Sequence, residues 1–290
     1  MSNHNNQRGF TLIELIMVIV IMGVIAGMVT VFMKSPIDAY FASARRAALT
    51  DVADTVVRRM ARDIQRSLPN SIRSCPSGTN GLEFIPTKTG GRYRTAGPGA
   101  LDFVSGSSNF NMLGKNSDLP PDQQIKVGDV IVVYNLGIPD ATAYPTAYPL
   151  TGSVNTAVVG GTDPLSEPGT PVETTIPLTN TTTFPLESGT NRFHVVPGTE
   201  RMVSYVCSGI NLLRVRSTTI TAAASCPTAT TGSAFVSVIA SNVNCATTSF
   251  NYSGSDLQRN ALVSMVLTVT DIPSGESVTL QHEVHVSNTP

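Results

Sequence analysis

One carboxylate stands inside an apolar segment. Between Phe10 and Met33, twenty-four residues, Glu14 is the only ionised side chain. An acid inside a membrane segment costs about 2.5–3.5 kcal/mol even on lenient insertion scales, so it is kept for a task. Elsewhere the candidate chemistry is thin. His282-Glu283-Val284-His285 is one residue short of HExxH. It also sits in a strand-like segment, where positions three apart face opposite sides, whereas a zinc helix needs both imidazoles on one face. His194 is a lone histidine in a strand and reads as structural. Gly114-Lys115 lacks the upstream glycine spacing of a phosphate loop, and no G-x-S-x-G is present. Asp118, Asp122, Asp129 and Asp256 do not cluster with calcium-ligand spacing. The residues thus call for no enzyme activity, metal or cofactor.

Four cysteines, Cys75, Cys207, Cys226 and Cys245, all follow the apolar segment and form no CxxC pair. Structural disulfides fit that pattern if this side of the chain lies in an oxidising compartment. Four cysteines allow three pairings. The strand-like surroundings of Cys207 and Cys245 single out that pair without excluding the others.

The elements that must position these residues begin with a helix. At about 1.5 Å per residue, residues 10–33 extend roughly 36 Å, enough for a hydrocarbon core of about 30 Å. A secretory signal peptide fits poorly: the run is long, and the small-residue site Ala42-Ser43-Ala44 lies well past its end. A plain anchor explains the length but not Glu14. Lys34-Ser35-Pro36 marks the exit, with Pro36 expected to kink the helix or restart it. From Ile37 to Leu68 the pattern is amphipathic: Leu49, Val52, Val56, Met60, Ile64 and Leu68 form one stripe, and the arginines mostly avoid it. Pro69-Asn70 is expected to end the helix.

After Cys75 the texture becomes β. Leu82–Ile85 and Leu101–Val104 are short apolar runs, and Gly90-Gly91 reads as a turn. Asp129–Tyr134 reads as a strand buried on both faces. Residues 137–190, rich in Thr, Gly and Pro, read as a long surface excursion with one or two edge strands. Further strands are expected at Arg192–Val196, Met202–Val206, Leu212–Val215, Ala234–Ala240 and Ser249–Tyr252. A closing hairpin, Leu262–Val269 with Val278–Val286, turns at Pro273-Ser274-Gly275. The fold class is α+β, a long helix packed on antiparallel sheet. With 13% charged residues and a net charge of −1, nothing points to nucleic acid.

Gly9-Phe10-Thr11-Leu12-Ile13-Glu14 resembles the processing signature of type IV pilins and their relatives. The resemblance implies that residues 1–9 are a leader, removed between Gly9 and Phe10 by a prepilin peptidase that also methylates the new amino terminus. Residues 10–33 are then a membrane and filament-core helix, 34–70 its amphipathic continuation, and 71–290 a periplasmic β-rich domain. Glu14 is expected to pair with the terminal amine of Phe10 in a neighbouring subunit, since a buried charge is tolerable when paired. The implied partners are other minor and major pilins, membrane lipid, and, indirectly, the inner-membrane assembly platform and assembly ATPase. The implied location is the bacterial inner membrane, single-pass, and the filament after assembly. The large β-rich region resembles that of minor subunits of MSHA-type pili. The J-type minor pseudopilins of type II secretion and tip adhesins are alternatives within the same class.

Overall fold

The computed structural model describes residues 10–137, 146–149, 155–169, 172–253 and 260–290. The chain divides into two compact units, Met1–Leu49 and Thr50–Pro290. Helix α1 (Leu12–Gln65) begins in the first and ends in the second. Its apolar residues up to Phe41 are all exposed, Leu12 at 76% and Phe32 at 76% among them. Among the described residues it is one helix long and apolar enough to cross a membrane. Pro36 lies inside α1 rather than restarting it. The proline ring has no N–H, so the Phe32 carbonyl loses its helical partner there.

In the second unit, α1 buries Ala53, Val56, Val57, Met60, Ala61 and Ile64. Of the expected stripe, Val56, Met60, Ile64 and Leu68 are buried, and Val52 is the correction. Val52 is 45% exposed, and the small residues Ala53 and Ala61 take the inward face. Alanine lets a helix approach its packing surface closely, and a stripe drawn from large residues alone overlooks it. The helix also stops before Pro69. Arg66 and Ser67 donate tightened i→i−3 bonds to Asp63 and Ile64, and Leu68 then donates to the Ile85 carbonyl, 2.8 Å. A cross-chain partner has replaced the next helical one.

Fourteen strands follow among the described residues: β1 (Arg73–Ser74), β2 (Gly81–Phe84), β3 (Thr89–Arg92), β4 (Ser107–Met112), β5 (Val130–Val133), β6 (Thr156–Val158), β7 (Thr174–Thr182), β8 (Arg192–Val196), β9 (Met202–Ser208), β10 (Asn211–Ser217), β11 (Ala234–Ser241), β12 (Ser249–Ser253), β13 (Asn260–Thr270) and β14 (Ser277–Ser287). They form antiparallel sheets in the orders β1-β2-β9-β10-β11, β12-β13-β14, β3-β8-β5-β6 and β4-β7. This is the expected α+β arrangement. Strand β5 is buried on both faces. Ile131 and Val133 enter one apolar cluster with Phe110, Phe184 and Phe193, while Val130 and Val132 enter another with Leu68, Ile85 and Tyr148. The alternating pleat thus feeds two cores from one strand.

Three expectations are corrected. Leu101–Val104 is not a strand: the Asp102 carboxylate accepts the Val104 and Ser105 amides, 2.7 and 2.9 Å, closing a side-chain turn that leaves Val104 90% exposed. Gly90-Gly91 is not a turn but lies inside β3, opposite His194 and Phe193. A Cβ on Gly91 would meet Met112 Sδ and Phe193 Cζ at 2.8 Å, so the absence of a side chain admits close packing. Finally, residues 137–190 do more than cross the surface. Tyr148, Val159, Leu165, Ile176 and Phe184 are buried in the cores. In β7 Thr174, Ile176 and Leu178 point inward, and the threonines and proline between them hide that alternation in the sequence. Tyr144-Pro145 lies outside the described residues.

Candidate functional site

The head of α1 is a closed local circuit. Thr11 precedes the first helical residue, and its amide donates to Glu14 Oε2 at 2.9 Å. The Thr11 hydroxyl donates to the same oxygen at 3.0 Å, and the Glu14 amide returns to Thr11 Oγ1 at 3.4 Å. This is the reciprocal cap that Thr-x-x-Glu makes at a helix N-terminus, satisfying amides that have no intrahelical partner. The carboxylate is therefore turned back onto Thr11, and the residue before it, Phe10, is 87% exposed. Thr11 is the capping residue that the apolar reading of this segment passes over; its spacing to Glu14 is the signal that finds it. Gly9 lies outside the described residues. Behind the cap, α1 carries exposed apolar side chains in every direction as far as Phe41, with Thr30 folding its hydroxyl onto the Ala26 carbonyl at 2.7 Å. Such a surface suits lipid or other apolar helices, with one acid at its end.

The four cysteines pair as Cys75–Cys226 and Cys207–Cys245, spanning 151 and 38 residues. The first bridge closes over a buried ion pair. Glu83 on β2 is fully buried and takes Arg73 Nε and Nη2 on one oxygen, at 2.9 and 2.6 Å. Its other oxygen accepts Ser204 Oγ at 3.0 Å, Ser225 Oγ at 3.3 Å and the Cys226 amide at 3.3 Å. Arg73 also donates to the carbonyls of Thr221, Ala222 and Ala223, and its guanidinium lies 3.8 Å from the Tyr148 ring centre. Burial pushes the Tyr148 phenol well above its usual range, so it stays a neutral donor to the Ser71 carbonyl. The second bridge is framed by Asn80, which accepts the Cys207 amide at 2.8 Å and donates to the Cys245 carbonyl at 3.2 Å.

At the end of α1, Asp63 accepts Tyr205 Oη at 2.6 Å and Arg214 Nε at 2.8 Å, and Arg214 Nη2 reaches Glu200 at 2.6 Å. Burial, then the Asp63 charge, raises the Tyr205 phenol. Burial opposes the Arg214 charge, but Glu200 and Asp63 outweigh it and the guanidinium is held more firmly protonated than usual. Asp63, Glu200 and Arg214 border a polar groove of about 440 Å³. They bind one another, leaving no free nucleophile or base among them.

The remaining candidates do not converge. Among the described residues no three His, Cys, Asp or Glu side chains gather closely enough to hold a metal. His282 and His285 lie on β14 opposite Met265 and Leu262. Asp129 is buried against Lys88 Nζ at 2.5 Å and accepts two backbone amides, Lys126 and Gly198. Asp118 sits in a short 3-10 turn, and Asp256 lies outside the described residues.

A family model described as the prokaryotic N-terminal methylation motif matches residues 4–30. Prepilin peptidase-dependent protein D of Escherichia coli (strain K12) is 34% identical over 118 residues, covering 40% of this chain and 74% of that relative. No solved structure matches the chain.

Proposed function

The chain belongs to the type IV pilin-like proteins, and from that premise we propose that it is a minor pilin of an MSHA-like type IV pilus, acting in the initiation or organisation of filament assembly. Proteins with this motif are structural rather than enzymatic, and the apolar helix with the motif fits a membrane-anchored, single-pass pilin. The observation that carries the reading is the head of α1: an acid and an exposed Phe10 at the tip of a helix whose apolar surface is uncovered.

The mechanism follows from the physics of that helix. Prepilin peptidase cuts between Gly9 and Phe10 and methylates the amine. The apolar half-helix then leaves the bilayer sideways into a bundle of sister helices. Lipid neighbours are exchanged for protein, so hydrophobic burial changes little. The assembly ATPase, acting through the inner-membrane platform, supplies the work. Glu14 pairs with the amine of a neighbouring subunit, and that pair fixes axial register. Subunits join head to tail, the contact that makes open filaments. The β-rich region, placed in the periplasm, selects which minor and major pilins join. Its size supports a minor role. So do Leu82-Glu83-Phe84-Ile85-Pro86, Tyr205-Val206-Cys207 and the terminal Gln281-His282-Glu283-Val284-His285-Val286, which resemble the MSHA pilus biogenesis protein MshO.

Two measurements test this. Mass spectrometry of the mature protein should find a chain beginning at a methylated Phe10; any other start overturns the processing. A deletion strain should lose surface pili. Normal pili with failed protein export would make the chain a pseudopilin, and normal pili with lost adherence a tip adhesin.

A further inference from the structure

Strands β3 and β8 bring Arg92 directly opposite Arg192. Opposed side chains in an antiparallel pair share a face, and like charges there repel. Neither guanidinium has an ion-pair partner among the described residues, and both are exposed. Two unneutralised arginines held face to face are an arrangement that a bound anion would complete.

The surroundings are built to admit one. Arg92, Arg192, His194, Gly90 and Thr89 line a cleft of about 440 Å³, and no carboxylate lines it. His194 is held neutral, its pKa lowered to about 4 by burial and then by the Arg192 charge, so the two guanidiniums set the charge of the cleft. Strand β3 stands at one end of the order of its sheet, and the β4 chain reaches its outer side only from Arg92 onward, through the Tyr93–Met112 bridge. Tyr93 donates its amide to the Asn191 carbonyl, and antiparallel alternation then turns the Gly90 N–H and C=O away from β8. Gly90 is exposed and has no side chain to shield them. The next outward carbonyl, Arg92, is already taken by the Leu113 amide at 2.9 Å. An outward backbone pair on a bare glycine accepts an extended chain by strand addition. The neighbouring guanidiniums would grip carboxylates on that chain.

We propose that the β3 edge at Gly90, with Arg92 and Arg192, is a docking site for an extended, acidic peptide segment of another protein. The cleft uses none of the residues of the helix head, so the inference survives if the filament role fails.

The test uses the full chain in detergent micelles, titrated calorimetrically with a tetraglutamate peptide, a tetraglutamine control and inorganic sulfate. Tetraglutamate should bind, and binding should weaken as salt rises from about 20 to about 200 mM through screening of the charges. Arg92→Gln and Arg192→Gln should each weaken it by about tenfold, the loss of one charge-assisted contact. Without peptide, either variant should melt no lower than the parent, because the repulsion between the pair is relieved. That melting temperature also verifies folding. Equal binding of tetraglutamine, sulfate binding in preference to peptide, no binding of tetraglutamate, or unchanged binding by both folded variants would each overturn the proposal.

Discussion

The Glu83 carboxylate and the Arg73 guanidinium are opposed partners on β2 and β1, 2.6 Å apart, with the Glu83 side chain wholly out of solvent. Five donor groups converge on that carboxylate, two from arginine and three from Ser204, Ser225 and Cys226. A buried charge so fully solvated by the protein is stable only while its counter-charge remains. Removing the arginine as Arg73→Met should cost about 3–5 kcal/mol, whereas Glu83→Gln, which keeps an acceptor and deletes the charge, should cost less. Urea unfolding of a fragment lacking the apolar half-helix measures both. An equal, small loss in the two variants would show that the pair is not the fulcrum of this corner.

The Cys75–Cys226 bridge closes a 151-residue separation over the same corner. Loop-closure entropy in the unfolded chain makes such a long bridge worth up to about 5 kcal/mol. Cys226 is buried and its amide touches Glu83, so breaking the bridge also loosens the segment that solvates the ion pair. Cys226→Ser should therefore destabilise more than Cys245→Ser, whose bridge spans 38 residues. Thermal midpoints of the two variants, with and without reductant, decide the order.

How far these features were legible differs by element. The hairpins β9–β10 and β13–β14 announce themselves because apolar runs flank turn residues: Gly209, φ 61°, and Gly275, φ 72°. Strand β5 is legible as a continuous apolar run. Gly90-Gly91 misleads, since a glycine pair marks a turn or a close approach equally well, and only Phe193 and Met112 in space decide. The Arg73–Glu83 corner is not legible at all: its carbonyl acceptors come from Thr221–Ala223, far along the chain and without periodic pattern. The N-terminal methylation motif is the most legible part, because its pattern is local and needs no tertiary partner to be recognised.

His194 gives a pH dependence with a definite sign. Burial, then the Arg192 charge, lowers its pKa from the usual 6.5 to about 4. The folded protein thus binds fewer protons than the unfolded chain between those values. Stability is complete above about pH 6.5 and is lost as pH falls toward about 4, by at most about 3 kcal/mol. Thermal midpoints recorded from about pH 7 to 4.5 should fall more steeply for the parent than for His194→Gln. Parallel curves would mean that the imidazole is free to protonate in the fold.

Thr11 and Glu14 make a prediction that separates capping from assembly. In the single chain Glu14 is occupied by Thr11, which supplies two hydrogen bonds to one carboxylate oxygen. The other oxygen takes neither, so the acid can meet a neighbouring amine while the cap persists. Glu14→Ala removes the cap and, in the proposed assembly, the docking acid as well. It should leave the protein in the inner membrane but strongly reduce its recovery in sheared filaments. Thr11→Val keeps the shape and the carboxylate but deletes the hydroxyl, so the first turn should fray and the acid be held less firmly. Filament recovery should fall less than for Glu14→Ala, and Thr11→Ser should restore it. Hydrogen exchange at the Leu12–Leu15 amides in micelles should quicken in Thr11→Val and Glu14→Ala alike. If Glu14→Ala frays the helix yet enters filaments normally, the carboxylate caps the helix and nothing more. If Thr11→Val frays it without changing recovery, the cap is structural and docking depends on Glu14 alone.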